Sequence, residues 1–286
     1  MNEVLTREAI KAILGVRSPD CNKGDNGKGL LLAGSEGFYG AAVMAAASCL
    51  RAGIGTLKVL CPNGAREAFF ALPEAMVYVA GPNWDSANPS LIRERLAEAT
   101  CIAMGPGIGK EDGTLELVHA VLKTGKPAVL DADGLNALSR LTDREKTALL
   151  HQNAVLTPHP GEMARLTGLT VADIQADAAY VAAVHARRWN CTVLLKGART
   201  AIAAPDGAVK WNERGNAGLA KGGSGDVLTG IILALLGQKL PPFAAACAGS
   251  YLLGASAEEA LDLLRERALM ARDVIDAVKH TLDMLR

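Results

Sequence analysis

The sequence predicts an α/β fold with a mostly parallel central sheet flanked by helices. Three observations predict it. Short, wholly apolar runs alternate with amphipathic or Ala-rich stretches, the joints fall at Gly, Pro, Asn and Asp, and no Pro/Ser-rich linker, repeat or low-complexity tract breaks the alternation. Runs that are apolar throughout suit strands covered on both faces, and their alternation with helix-length segments is the pattern of βαβ units. The even spacing assigns 1–286 to a single domain.

Taken in order, residues 30–33 read as a buried strand and 41–51 as an Ala-rich helix stopped near Gly53 and Gly55. Further strands are predicted at 56–60, 75–79, 101–104, 128–130, 154–156 and 193–195, with helices at 91–99, 114–123, 144–150, 160–167 and 171–189. After Lys196 the apolar stretches 201–203 and 209–211 flank Asp206-Gly207, which predicts a hairpin at one sheet edge. Two Ala-rich helices, 226–236 and 243–260, then pack on the sheet, and a short final helix closes the chain.

Composition narrows the function. Thirty Lys and Arg balance thirty Asp and Glu, so the formal net charge is +0, and no basic excess points to nucleic acid. A hydrophobic fraction of 50% with 21% charged residues supports a sizeable core and excludes wholesale disorder. Glu3, Arg7, Glu8 and Lys11 interrupt the start of the chain, so no secretory signal is expected and the predicted location is the cytoplasm. The uncharged run 240–257 opens with two prolines and is rich in Ala, Gly and Ser; its roughly fifteen weakly apolar residues fall short of the ~20 of a spanning helix. The six cysteines lack a C-x-x-C pair and are expected to be reduced, mostly buried thiols rather than a zinc site.

Six clusters could carry chemistry, and each lies at the end of a predicted strand or the start of the helix after it, where open α/β sheets bind ligands. Gly222-Gly223-Ser224-Gly225-Asp226 opens an apolar helix. Helix N-termini offer unpaired amides and a positive dipole end, and glycines let phosphate oxygens approach. Asp226 would repel a bound phosphate but would serve a hydroxyl that loses its proton while attacking phosphorus; the bland alternative is a helix cap behind a flexible loop. Lys221 adds a cation upstream. Gly34 to Gly40 mimics a dinucleotide fingerprint, but it lacks the G-x-G-x-x-G spacing and the acid at the end of the next strand. Gly105-Pro106-Gly107-Ile108-Gly109 falls one residue short of a P-loop, and each of these two loops could be a plain turn.

Asp131-Ala132-Asp133 ends a strand with carboxylates at i and i+2, which an extended chain presents on one side, suited to a cation or a substrate hydroxyl. The loop is similar to the nucleophile loop of haloacid-dehalogenase-type phosphatases, although that loop normally opens its domain; a cap for the next helix is the competing reading. Thr157-Pro158-His159-Pro160-Gly161-Glu162 holds His159 between two prolines at a strand end, too thin a set for a metal site. Lys196-Gly197-Ala198-Arg199-Thr200 brings two cations and a glycine out of a strand, a phosphate contact or merely a solvated turn. His119, His151, His185 and His280 receive no role.

In this order the clusters, with Lys23-Gly24-Asp25-Asn26-Gly27, Ala41-Ala42 and Asn216 through Asp226, resemble the ribokinase-like superfamily and within it the ADP-dependent NAD(P)H-hydrate dehydratase family. The resemblance implies a three-layer α/β/α fold and a hydro-lyase that uses ADP to restore NADH and NADPH from the S-epimer of their hydrates. The C6 hydroxyl is phosphorylated and then eliminated, leaving AMP and phosphate. It implies that Asp226 is the base and that Gly223, Ser224 and Gly225 form the anion hole. Lys196, Gly197, Ala198, Arg199 and Thr200, with Asn216 and Gly225, would hold the nucleotide. Ala42, Gly107, Gly109, Asp133, His159 and Asp226 would line the substrate pocket. Mg2+ is expected with no ligand assigned beyond a guess at Asp131 or Asp133. A homotetramer is expected, with 243–260 able to mediate self-association, and no nucleic acid or membrane partner. The resemblance begins near residue 4, so no N-terminal epimerase domain is expected. The alternatives are a small-molecule kinase of the same superfamily and an inactive nucleotide-binding regulator.

Overall fold

A computed structural model describes residues 3–262 and 265–286. Among these, one sheet holds ten strands: β1 (Glu3–Val4), β2 (Lys28–Leu32), β3 (Thr56–Cys61), β4 (Ala75–Val79), β5 (Cys101–Met104), β6 (Ala128–Leu130), β7 (Ala154–Leu156), β8 (Thr192–Leu195), β9 (Thr200–Ala203) and β10 (Val209–Asn212). Their spatial order is β1-β10-β9-β8-β7-β6-β5-β2-β3-β4. Every neighbouring pair is parallel except the two made by β9.

Helices cover both faces, because successive side chains of each strand point to opposite sides and both sides are apolar. Leu31, Val59, Ala103, Val129, Val155 and Leu194 face a core shared with α1 (Arg7–Leu14), α2 (Tyr39–Arg51), α10 (Ser224–Gly237), α11 (Pro242–Glu259) and α12 (Ala271–Met284). Leu30, Ile102, Met104, Leu130, Leu156 and Val193 face the opposite core. That second layer comprises α3 (Pro89–Glu98), α4 (Asp112–Leu122), α5 (Ala132–Leu138), α6 (Asp143–Leu149), α7 (Pro160–Thr167), α8 (Val171–Ala176) and α9 (Ala178–Arg188). The expected three-layer arrangement is therefore present.

Helix α10 is apolar all round, and every residue from Val227 to Gly237 is buried, as a helix wedged between a sheet and neighbouring helices requires. Helix α11 corrects an expectation. Its small residues from Ala245 to Leu252 lie buried within this chain, so the stretch expected to mediate self-association is spent on the chain's own core. The single helix expected over 171–189 is two helices. Asp177 (φ −147°, ψ 74°) breaks it, and its carboxylate accepts the Tyr180 amide at 3.0 Å to cap α9. Strand β1 was not foreseen; it adds to β10 and covers the predicted hairpin's outer edge.

All six cysteines are free, and five are buried. Burial pushes the Cys61 thiol up to about 11 and those of Cys101 and Cys247 to about 12, which keeps them protonated. No helix among the described residues is long and apolar enough to cross a membrane.

The chain runs outward from β2 to β3 and β4, then returns to β5 on the other side of β2 and continues to β6, β7 and β8. Strand order reverses between β2 and β5. A crevice outside the carboxyl ends at such a reversal is where ligands bind in open α/β sheets.

Candidate active site

Side-chain parity builds the floor of the site. Val129, Val155 and Leu194 face the α10 layer, so the residues two positions on, Asp131, Thr157 and Lys196, leave β6, β7 and β8 on that same side. The Lys196 ammonium donates to Asp131 Oδ1 at 2.7 Å, and the Thr157 hydroxyl donates to the same oxygen at 2.9 Å. From above, the Thr229 hydroxyl of α10 donates to Asp131 Oδ2 at 3.0 Å. Asp131 is 2% exposed, and its carboxylate is fully engaged. Breaking a buried ion pair of this kind by removing one partner costs about 3–5 kcal/mol. Burial alone would lower the Lys196 pKa, but the charges of Asp131 and Glu162, the hydrogen bond to Asp131 and the Asp226 charge raise it. Lys196 is therefore a permanent cation at the strand ends.

Helix α10 brings its N-terminus over this floor. Gly223 caps it in the left-handed region at φ +101°, packed against Met44 and Ala271, and offers no side chain to the helix amides. The first bond back to the cap is Val227 N–H to the Gly223 carbonyl, so the amides of Ser224, Gly225 and Asp226 precede the helix ladder and stay free for an anion. Burial, reinforced by the Asp131 charge and opposed by Lys196, pushes the Asp226 carboxyl up to about 7. A group poised there accepts a proton near neutral pH.

The glycine loops meet beside α10. Ser35 Oγ donates to the Gly107 carbonyl at 2.8 Å, and the Gly34 amide donates to the Pro106 carbonyl at 2.9 Å. Gly105 (φ +129°) lies so close to β6 that a Cβ would overlap the Asp131 carbonyl oxygen. Asp133 Oδ2 accepts the Gly109 amide at 3.2 Å while its other oxygen accepts from Asn136 at 2.9 Å. The two aspartates therefore do not share a side. Ala132 adopts φ +47°, which turns Asp131 toward Lys196 and opens α5 with Asp133 in its first turn, so the residues after β6 enter the helix of the competing reading. Ala42, expected to line the pocket, has no exposed surface: it packs under Gly34, where a Cβ would meet it at 3.3 Å.

Other expected contacts are placed as follows. His159 caps α7: Nδ1 accepts the amides of Gly161 (3.0 Å) and Glu162 (3.3 Å), and Glu162 Oε2 accepts the His159 amide at 2.8 Å. Burial lowers the His159 pKa, Glu162 opposes this, and the ring is neutral. Its other nitrogen lies 3.4 Å from Glu162 Oε1, and the side chain remains half exposed at the strand ends. Residues 196–199 turn β8 into β9, but Arg199 leans away onto Trp211, 4.6 Å from the ring centroid, and pairs with Glu213 at 2.5 Å. Asn216 accepts the Gly218 amide and donates to the Ala257 carbonyl, so both ends of its amide are engaged. The Lys221 ammonium donates to the Arg267 and Leu269 carbonyls.

Thr157 and Glu162 lie in a cluster the sequence singles out for His159, but the sequence assigns no role to them or to Thr229. Thr229 carried a signal, a buried hydroxyl three residues after Asp226 in a helix otherwise apolar. Among the described residues, no three His, Cys, Asp or Glu side chains converge as metal ligands. Asp131, one of the two guesses, has its oxygens taken by Lys196, Thr157 and Thr229. The arrangement joins an anion seat, a fixed cation and a carboxyl that titrates near neutrality.

A family model described as NAD(P)H-hydrate dehydratase matches residues 29–279. A bifunctional NAD(P)H-hydrate repair enzyme of Moorella thermoacetica is 43% identical over 98% of this chain and 53% of its own length. The chain thus spans about half the length of that relative. An ADP-dependent (S)-NAD(P)H-hydrate dehydratase of Neisseria meningitidis is 40% identical over 92% of this chain and 86% of its own. The solved structure of an ADP/ATP-dependent NAD(P)H-hydrate dehydratase from Bacillus subtilis, co-crystallized with ATP/Mg2+, aligns with TM-score 0.86 at 32% identity, covering 100% of this chain and 99% of that one. The fold is the ribokinase-like one.

Proposed function

From the premise that the chain belongs to the NAD(P)H-hydrate dehydratase family, we propose that it restores NADH and NADPH from their S-hydrates at the expense of ADP, as a hydro-lyase. The observation that carries the reading is Asp226, a carboxyl raised to about 7 beside three uncapped helix amides and the Lys196 cation.

Hydroxide is a poor leaving group from C6 of the hydrated ring, whereas phosphate is a good one. Asp226 takes the proton of the C6 hydroxyl as its oxygen bonds to the terminal phosphorus of ADP. The bond from that phosphorus to the oxygen shared with the α-phosphate breaks, and AMP leaves. The amides of Ser224, Gly225 and Asp226 hold the transferring group where charge spreads over its oxygens, and Lys196 adds a positive charge held in place by Asp131. In the second half the ring nitrogen's lone pair expels phosphate from C6, and loss of a proton from C5 restores the dihydronicotinamide. The half-exposed face of His159 and the loop 105–109 wall the ring; Gly197, Ala198 and Thr200 stand at the nucleotide side, while Arg199 and Asn216 shape the surrounding turns.

The residues present do not fit a protein-held Mg2+, because among the described residues no three His, Cys, Asp or Glu side chains converge as ligands and both oxygens of Asp131 already accept from Lys196, Thr157 and Thr229. A Mg2+ would be carried by the nucleotide's phosphates and would offset their negative charge, and no step above is routed through it. We read the chain as one domain, since all described strands join one sheet.

The test is to mix the purified protein with ADP, Mg2+ and hydrated NADH and follow both AMP and the returning dihydronicotinamide absorbance. Matched yields of the two are expected. AMP with a stable phosphorylated product and no returning absorbance would leave only a kinase, and neither product would refute the reading.

A further inference from the structure

A second cavity adjoins the site, at the carboxyl ends of β2, β3 and β4. Its volume is about 410 Å³, within the range of small-molecule sites, and Ser35, Glu36, Tyr39, Asn63, Asn83 and Glu111 supply its polar groups. Its wall is tied to the active-site loop 105–109 by Ser35, which lines the cavity and donates to the Gly107 carbonyl at 2.8 Å. Strands lie about 4.8 Å apart, so the three steps from β6, which carries Asp131, to β3 place the cavity about 14 Å from the phosphoryl site. That is a lateral displacement, along the crevice, of the kind the two halves of an extended dinucleotide require. Between the two lies the start of α2, whose cap residue Phe38 makes no side-chain bond to the helix amides and whose Ala41 faces Gly107. Such an end suits the pyrophosphate that links the halves.

The charge of the cavity is one-sided. No Lys or Arg is among its described lining residues, and Arg66 and Lys110, the nearest cations in sequence, do not line it. Glu111 is fixed by the Trp84 amide, which donates to its Oε2 at 3.2 Å, and Trp84 is in turn anchored by its indole N–H to the Gly34 carbonyl at 2.8 Å. Glu36 makes no hydrogen bond or ion pair among the described residues, is exposed and lines the cavity. Carboxylates in such a place accept hydrogen bonds from ribose hydroxyls, whereas a 2′-phosphate needs a cation.

We propose that this cavity seats the adenosine-bearing half of the dinucleotide substrate and that Glu36 and Glu111 select an unphosphorylated ribose, favouring hydrated NADH over hydrated NADPH. The inference rests on the reading of the site as a hydrate dehydratase. It is tested by the ratio of kcat/KM for the two hydrates at low ionic strength with saturating ADP and Mg2+. A preference of about tenfold or more for hydrated NADH is expected, shrinking as salt is added. Glu36→Lys should move the ratio by about tenfold toward hydrated NADPH, through KM. A wild-type ratio within about twofold, or a ratio that Glu36→Lys leaves unmoved, would overturn the proposal while leaving the dehydratase reading intact. If neither hydrate turns over, the dehydratase reading has failed instead. Calorimetry with NAD+ and NADP+ then decides the cavity: weaker NADP+ binding supports the selection, and equal affinities overturn it.

Discussion

At the lower end of α10, Gly237 lies against Gly27, and a Cβ on Gly27 would come within 2.6 Å of the Gly237 Cα and overlap its carbonyl oxygen; a Cβ on Gly237 would overlap Ile54. At the upper end a Cβ on Gly222 would meet nothing within 4 Å, and one on Gly225 would meet only the polar atoms of the site, Asp131 Oδ2 at 3.2 Å and Lys196 Nζ at 3.5 Å. One helix thus ends in glycine twice for different reasons. Below, the protein's own packing forbids a side chain. Above, apart from the cap Gly223, no apolar packing or backbone of the protein fills the space, and that room is what the proposed phosphoryl seat needs. The Lys23 to Gly27 segment, which contributes to the family resemblance, sits at the packing pole and supports the fold rather than the chemistry.

The largest effect expected at the upper pole is that of Asp226→Asn, which keeps shape and removes the base. Turnover should fall by about 10²–10⁴-fold, the usual contribution of a general base, while AMP affinity by calorimetry stays within a few-fold. At the lower pole Gly27→Ala forces overlap with backbone at a residue whose φ is +84°. A loss of about 3 kcal/mol or more is expected in denaturant unfolding, with the protein that remains folded turning over normally in the cold. Gly225→Ala separates the two poles most sharply. It should cost about 10²-fold in kcat by filling the phosphoryl seat, and shift Tm by less than about 2 °C. A large Tm loss there would erase the contrast.

The smallest effect is on stability against pH. Asp226 has its pKa raised from 3.8 to about 7, so between those values the unfolded chain gives up a proton that the native carboxyl keeps. Native stability from this group falls as pH rises through that window and levels off above it. Asp226→Asn should therefore raise Tm by a few degrees above about pH 8 and by much less near about pH 4, read by differential scanning fluorimetry.

The fold was legible where the sequence writes it locally. The apolar runs of β4, β5, β6 and β7 have Gly, Pro, Asn or Asp within two residues of an end, and their expected limits are the observed ones. The break at Asp177 was not, because a helix-permitting residue there hides a backbone excursion and a cap. The site was half legible. Glycines before an apolar helix and an Asp in its first turn announce an anion seat. The floor does not announce itself, since Asp131, Thr157, Lys196 and Thr229 come from four separate segments and meet only through strand parity and register. The i and i+2 spacing of Asp131 and Asp133 misled because Ala132 leaves the extended region, which spacing does not reveal.

The central claim is that Asp226 acts as a base at the open end of α10. Its most direct test is the pH dependence of kcat/KM for hydrated NADH with saturating ADP, from about pH 5 to about pH 9, a quantity that reports the essential groups of the ADP-bound enzyme that meets the hydrate. The account predicts a rise with an apparent pKa near the value of about 7 set by burial of Asp226, and loss of that rise in Asp226→Asn. A flat profile in the wild type, or the same rise in the variant, would contradict it.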